Sequence, residues 1–251
     1  MQAPPRRLVW PIAAALTLAA VACGSRADDR EDGRTAARPS SAVPAPPASS
    51  TAGPQPSSAD ARPRIVVLGD SLTAGLGLPI AAAYPSLLQE RLKADGLDLK
   101  VENAGVSGDT SAGGLARLDW ALQGDVRVLI VALGGNDALR GLPAGQLQRN
   151  LAEIIERAQA RGIAVILAGM EAPPNYGRDY IVAFHKVYPA LATQYHLAFV
   201  PFLLQGVAGN ESLNQRDGIH PTAEGARIVA DNVWAVLKPI AETRGRGRPG
   251  S

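Results

Sequence analysis

Ser71, Asp217 and His220 are the residues of this chain whose types could together do covalent chemistry. A serine hydroxyl is a weak nucleophile and needs an adjacent base. Histidine titrates near neutral pH, so it can take that proton and return it. A carboxylate fixes the imidazole tautomer and steadies the imidazolium. Asp217 and His220 stand three apart in Asp217-Gly218-Ile219-His220-Pro221, close enough for the carboxylate to turn back onto the same ring. Such chemistry also needs donors aimed at a developing oxyanion. The backbone N–H groups of Ser71 and Gly108 and the side-chain amide of Asn136 are the candidates.

These residues must be positioned by strand ends. Ile65–Leu68 is an apolar run closed by Gly69, and Val126–Leu133 is another closed by Gly134-Gly135. Leu99 and Val101 alternate with polar residues, while Ile163–Leu167 and Leu197–Val200 supply two more short strands. Between them lie helical spacings. Leu87, Leu88 and Leu92 stop at Gly96, Leu115, Leu118 and Leu122 form a second set, and Leu147–Ala158 stops at Gly162. Further helices are expected over Tyr180–Tyr195 and Ala226–Leu237. Alternating strands and helices, with strands apolar on both faces, predict an α/β fold with a parallel sheet covered on both sides. Ligands of such sheets bind beyond the carboxyl ends of the strands. Gly69-Asp70-Ser71, Val106-Ser107-Gly108-Asp109 and Gly134-Gly135-Asn136-Asp137 all fall there.

The segments GDSLTAGLG, VSGDTSAGGLARL, LGGNDALRG, PPNYG and DGIHP resemble the GDSL-type, or SGNH, hydrolase family. The resemblance is closer to its bacterial multifunctional branch of acyl-CoA thioesterases, arylesterases and lysophospholipases. It implies a flavodoxin-like three-layer α/β/α sandwich, no metal and no organic cofactor. It also implies that Ser71 is the nucleophile, His220 the base with Asp217 behind it, and Gly108 and Asn136 oxyanion donors. The expected activity is hydrolysis of small-molecule carboxylic esters or thioesters through an acyl-enzyme on Ser71. A substrate-responsive loop is implied at Ala138–Pro143, where Leu139 and Leu142 are candidates to cover an acyl chain. The bland alternative for these two leucines is docking of the next helix.

Other roles are weighed against this one. Asp70 and Asp137 are expected to make loop and helix-end hydrogen bonds. His185 and His196, expected in the helix before the last strand, are assigned to surface or packing, and the aromatics Tyr176 and Trp120 to packing rather than substrate contact. Gly75-Leu76-Gly77 lacks the remaining residues of either phosphate-binding motif. Thr73 stands where a Gly-x-Ser-x-Gly elbow needs glycine. Asp70, Asp137 and His220 lack a second histidine for a metallohydrolase. A non-catalytic binding module predicts loss of a catalytic residue, and none is lost. Removal of acetyl groups from polysaccharide is a rival within the esterases.

The 251 residues leave room for one domain, expected over 64–240, plus flanking segments, and a monomer is expected. The net charge of +2 gives no reason to expect nucleic acid as partner. Arg6 and Arg7 precede the apolar run Leu8–Ala22, short for a membrane span but fit for an export signal. Ala20-Val21-Ala22 then precedes Cys23, the only cysteine. That placement resembles a bacterial lipobox, although Ala20 departs from the usual larger aliphatic residue. Residues 1–23 are therefore expected to be a signal peptide with Cys23 as a lipidation site. The protein would then be exported, periplasmic or anchored to a membrane. Residues 24–63, rich in Ala, Pro and Ser, are expected to be a disordered linker, and 241–251 a basic disordered tail.

Overall fold

The computed structural model describes residues 62–245. The expected signal peptide, Cys23 and nearly all of the expected linker lie outside them.

Strand β1 (Arg64–Gly69) forms from the first apolar run, with Ile65–Gly69 buried. Helix α1 (Ser71–Ala74) follows at once, then α2 (Tyr84–Ala94), β2 (Lys100–Gly105), α3 (Ser111–Ala116) and α4 (Leu118–Ala121). Next come β3 (Val126–Ala132), α5 (Gly135–Leu139), α6 (Ala144–Ala160) and β4 (Ala164–Ala168). The order closes with α7 (Arg178–Gln194), β5 (Ala198–Val200) and α8 (Ala223–Gly245). The five strands form a parallel sheet in the order β2-β1-β3-β4-β5. Helices α2 and α8 pack together as one layer, and α3 and α7 pack on α6 as another. The expected three-layer α/β/α sandwich is therefore what the chain forms. Strands β1 and β3, flanked on both sides, carry the near-continuous apolar runs of strands covered on both faces. Strand β2, at the sheet edge, is mostly half-buried, which explains its alternating sequence.

The order 2-1-3-4-5 makes the chain leave β1 for one side, then return past it to β3 on the other. A crevice opens where the two connections part, at the carboxyl ends of β1 and β3. The register makes those ends level: Gly69 pairs with both Gly105 and Ala132. Three loops therefore start from one line and converge on one place. Gly105 also lets α1 approach: a Cβ there would lie 2.3 Å from the backbone nitrogen of Ala74.

Four sequence expectations are corrected. Leu115, Leu118 and Leu122 do not share one helix, because the chain breaks between α3 and α4 at Arg117. Gly113 and Gly114 weaken the helix there, and the Arg117 guanidinium turns inward to Asp109 Oδ2 (2.7 Å) and the Gly69 carbonyl (2.9 Å). His196 lies beyond α7, in a turn with φ of 52°. Trp120 is 61% exposed and does not pack in the core. The last helix continues past residue 240 to Gly245, with Ala241 fully buried, so the first residues assigned to the tail extend α8.

Candidate active site

Ser71 is the first residue of α1. The helix is capped by Asp70, whose Oδ1 accepts from Leu72 N at 3.0 Å. The Ser71 N–H is thereby left at a helix start, where amides lack helical partners. Thr73 bonds Tyr84 OH at 2.8 Å, and Asn103 Nδ2 donates to the Thr73 carbonyl at 2.8 Å. These bonds tie the short helix to α2 and β2.

His220 sits in a loop closed by an antiparallel bridge between Asn214 and Pro221. Gln215 N donates to the His220 carbonyl at 2.7 Å. Gln215 Nε2 donates to the carbonyls of Pro221 (2.9 Å) and Leu76 (2.8 Å), joining the histidine loop to the serine segment. His220 Nε2 lies 2.9 Å from Ser71 Oγ, and Nδ1 lies 2.6 Å from Asp217 Oδ2. The other oxygen, Asp217 Oδ1, accepts from the N–H groups of Ile219 (2.9 Å) and His220 (3.0 Å). The His220 N–H above all, then that of Ile219, then the ring contact, hold the Asp217 carboxyl down at about 2. It stays ionised wherever an imidazolium forms beside it.

Gly108 has φ of 84°, a left-handed conformation that glycine adopts without strain. Arg140 Nη2 holds its carbonyl at 2.7 Å, and the Arg117–Asp109 pair braces the next residue. Asn136 lies in α5, where its Nδ2 donates to the Asp109 carbonyl at 2.9 Å. Its second hydrogen has only Asp70 Oδ2 at 3.3 Å, longer than a good N–H···O bond. One firm bond orients the amide and the long one leaves a donor to spare. Asp137 accepts from Ser111 N (2.8 Å) and Ser111 Oγ (2.5 Å), fixing the start of α3.

Ser71, Asn136 and His220 line a cavity of about 200 Å³ whose wall includes Leu72, Leu139 and Met170. The serine, histidine and asparagine singled out in the sequence thus meet at one crevice, with Asp217 bonded to His220; Gly108 is not among the lining residues, and it is the next residue, Asp109, whose carbonyl Asn136 bonds. Leu139 lines it as the last residue of α5, within a segment expected to be a loop. Leu142 does not. It is half-buried, its N–H bonded to the Asp137 carbonyl (2.9 Å) and its carbonyl to Tyr180 OH (2.9 Å). The turn that ends α5 points the backbone of Leu142 to Tyr180 instead. Sequence reasoning missed Met170, Glu171 and Ile219, which also line the cavity. Their signal was position alone: Met170 and Glu171 follow β4 just as the other site segments follow β1 and β3.

Residues 67–228 match the GDSL-like lipase/acylhydrolase family. The chain belongs to that family. It is 49% identical over 177 residues to Esterase TesA of Pseudomonas aeruginosa, covering 70% of this chain and 88% of that one. Thioesterase 1/protease 1/lysophospholipase L1 of Escherichia coli is 38% identical over 177 residues, 70% of this chain and 84% of that relative. Among solved structures, AlinE4, an SGNH-hydrolase family esterase, is 43% identical with a TM-score of 0.60, covering 71% of this chain and 96% of that one.

Burial is the main reason that the Asp70 carboxyl is raised to about 6, above its ordinary 3.8. This carries a stability cost with a definite pH window. Below about pH 4 both folded and unfolded chains hold the proton, and Asp70 costs nothing. Between about 4 and 6 only the unfolded chain releases it, so stability falls as pH rises. Asp217 acts oppositely: its contribution is present above about pH 4 and is lost as pH falls toward 2. In urea unfolding at a series of pH values, Asp70→Asn should gain on wild type by on the order of 3 kcal/mol between pH 4 and pH 7. Parallel profiles for the two proteins would contradict the assignment.

Proposed function

We propose that the protein is a serine carboxylic-ester hydrolase in which Ser71 attacks the acyl carbonyl. The observation that carries the reading is the continuous chain Ser71 Oγ–His220 Nε2, His220 Nδ1–Asp217 at 2.9 and 2.6 Å, opening on the crevice. Membership of an acylhydrolase family supports it independently.

The chemistry follows from the geometry. As Ser71 Oγ bonds to the carbonyl carbon, its proton passes to His220 Nε2. Asp217 stabilises the imidazolium through Nδ1. The carbonyl oxygen becomes an oxyanion, which the Ser71 and Gly108 N–H groups and the spare Asn136 hydrogen stabilise. Collapse breaks the bond to the leaving alcohol or thiol, which takes the proton from Nε2 and leaves an acyl-serine. Water then gives its proton to His220 and attacks the acyl carbon. The free acid departs and Ser71 recovers its proton. Leu139 and the neighbouring apolar wall cover the acyl chain, each methylene buried contributing about 0.8 kcal/mol.

Ser71→Ala should abolish ester turnover without changing the unfolding transition, and His220→Ala should lose nearly as much, because the two act as a unit. A fluorophosphonate should label wild-type Ser71 and fail on the alanine variant. Asn136→Ala should lower kcat on the order of 10²–10³-fold with a smaller change in KM. Substantial turnover by Ser71→Ala would overturn the assignment.

Leu139→Ser should lower kcat/KM for medium acyl chains while sparing short ones, whereas Leu142→Ser should leave chain-length selectivity unchanged. Equal losses at all lengths for Leu139→Ser would make it a packing residue.

The proposal extends to location. The Arg6-Arg7 start, the apolar run Leu8–Ala22 and the small residues before Cys23 support export and lipid attachment at that cysteine. A membrane anchor would then hold the hydrolase domain through the segment of residues 24–63. Cys23→Ser should move the enzyme from the membrane fraction to the soluble exported fraction with unchanged specific activity. Wild-type enzyme found wholly soluble after export would refute the anchor.

A further inference from the structure

Gly75-Leu76-Gly77 serves no phosphate-binding motif, yet it lies directly against the histidine loop. Gly75 N and Leu76 N donate to the Ser71 carbonyl at 3.1 and 3.0 Å, so the turn is bonded to the backbone of the nucleophile. The Leu76 carbonyl accepts from Gln215 Nε2 at 2.8 Å. The same nitrogen donates to the Pro221 carbonyl at 2.9 Å, and Gln215 N donates to the His220 carbonyl at 2.7 Å. One amide therefore spends a hydrogen on each loop. The path from the Ser71 carbonyl through Leu76 and Gln215 to the His220 backbone closes into a ring at the 2.9 Å contact of His220 Nε2 with Ser71 Oγ.

Gly77 makes room for that amide. Its φ is 79°, in the region that favours glycine, and a Cβ there would lie 2.2 Å from Gln215 Oε1. Gln215 is half-buried and is not among the residues that line the catalytic cavity. Its route to the reaction is the His220 backbone. Proton transfer from serine to imidazole needs the two atoms held at hydrogen-bond distance, and a small misplacement of either loop slows it.

Resting on the esterase reading above, we propose that Gln215 is a positioning residue for the serine-to-histidine proton transfer, with Gly77 as the seat of its amide. The side chain sets how far the base stands from the nucleophile before any substrate arrives.

Gln215→Met keeps the length of the side chain and removes both donors. For a short-chain p-nitrophenyl ester it should lower kcat on the order of 10–100-fold with little change in KM. Gly77→Ala should lose a similar amount by displacing the amide, and the double variant should lose no more than the worse single one. In the His220→Ala background, Gln215→Met should leave the residual turnover unchanged. Rates are taken per serine labelled at completion by a fluorophosphonate, so that misfolded enzyme is not counted. A lowered unfolding midpoint with kcat per labelled serine unchanged assigns Gln215 to loop stability and overturns the inference. So does a defect confined to KM, or an equal loss of turnover in the His220→Ala background. These outcomes leave the esterase reading intact. Absence of ester turnover in the wild-type enzyme overturns both.

Discussion

Ser71 and His220 are 149 residues apart in the chain, yet their side chains meet at 2.9 Å. Neither residue is held by the other alone. A neutral hydrogen bond contributes about 1 kcal/mol net, far too little to offset the ordering of two loops. The contact exists because both loops are fixed independently. On the serine side, β1 is packed between β2 and β3, and Asp70 caps the helix that Ser71 begins. On the histidine side, the Asn214–Pro221 bridge and α8 set the loop, and α8 packs on α2 and across the sheet. Gln215 then links the two by a single side chain, bonding Leu76 on one loop and Pro221 on the other.

Asp70 shows what such placement costs. The residue is 2% exposed, and its carboxyl accepts from Leu72 N and, more weakly, from Asn136. Burying a carboxylate is unfavourable, and these bonds only partly offset it, which is why its proton is held up to about 6. In return one side chain begins the serine helix, sits beside the oxyanion amide and attracts the His220 imidazolium. The group that destabilises the fold at neutral pH is thus the one that couples the three functional loops. Strain of this kind belongs to a site arranged for reaction more than for stability.

Much of this arrangement was legible in the sequence. The apolar runs ending in Gly69 and Gly134 declared buried parallel strands, and Asp217-Gly218-Ile219-His220 declared a carboxylate turned onto its own histidine. What escaped were features set by tertiary contacts. The break at Arg117 depends on a guanidinium reaching the Gly69 carbonyl 48 residues away, which no local helical periodicity contains. Leu139 and Leu142 are equally apolar and three apart. Only the turn after α5, with its backbone bonds to Asp137 and Tyr180, places one in the cavity and the other aside. Trp120 is expected to pack as a large aromatic, but it lies in a four-residue helix whose buried residues are Leu118 and Ala121, and it is left at the surface.

The same distinction separates chemistry from selectivity. Residues that perform the reaction must meet strict geometry, so they sit where strand ends and caps fix the backbone, and their types betray them. Residues that wall the cavity need only face it. Met170 and Glu171 qualify because β4 ends beside β3, with Leu167 paired to Val131. Nothing in the types of Met170 and Glu171 announces that.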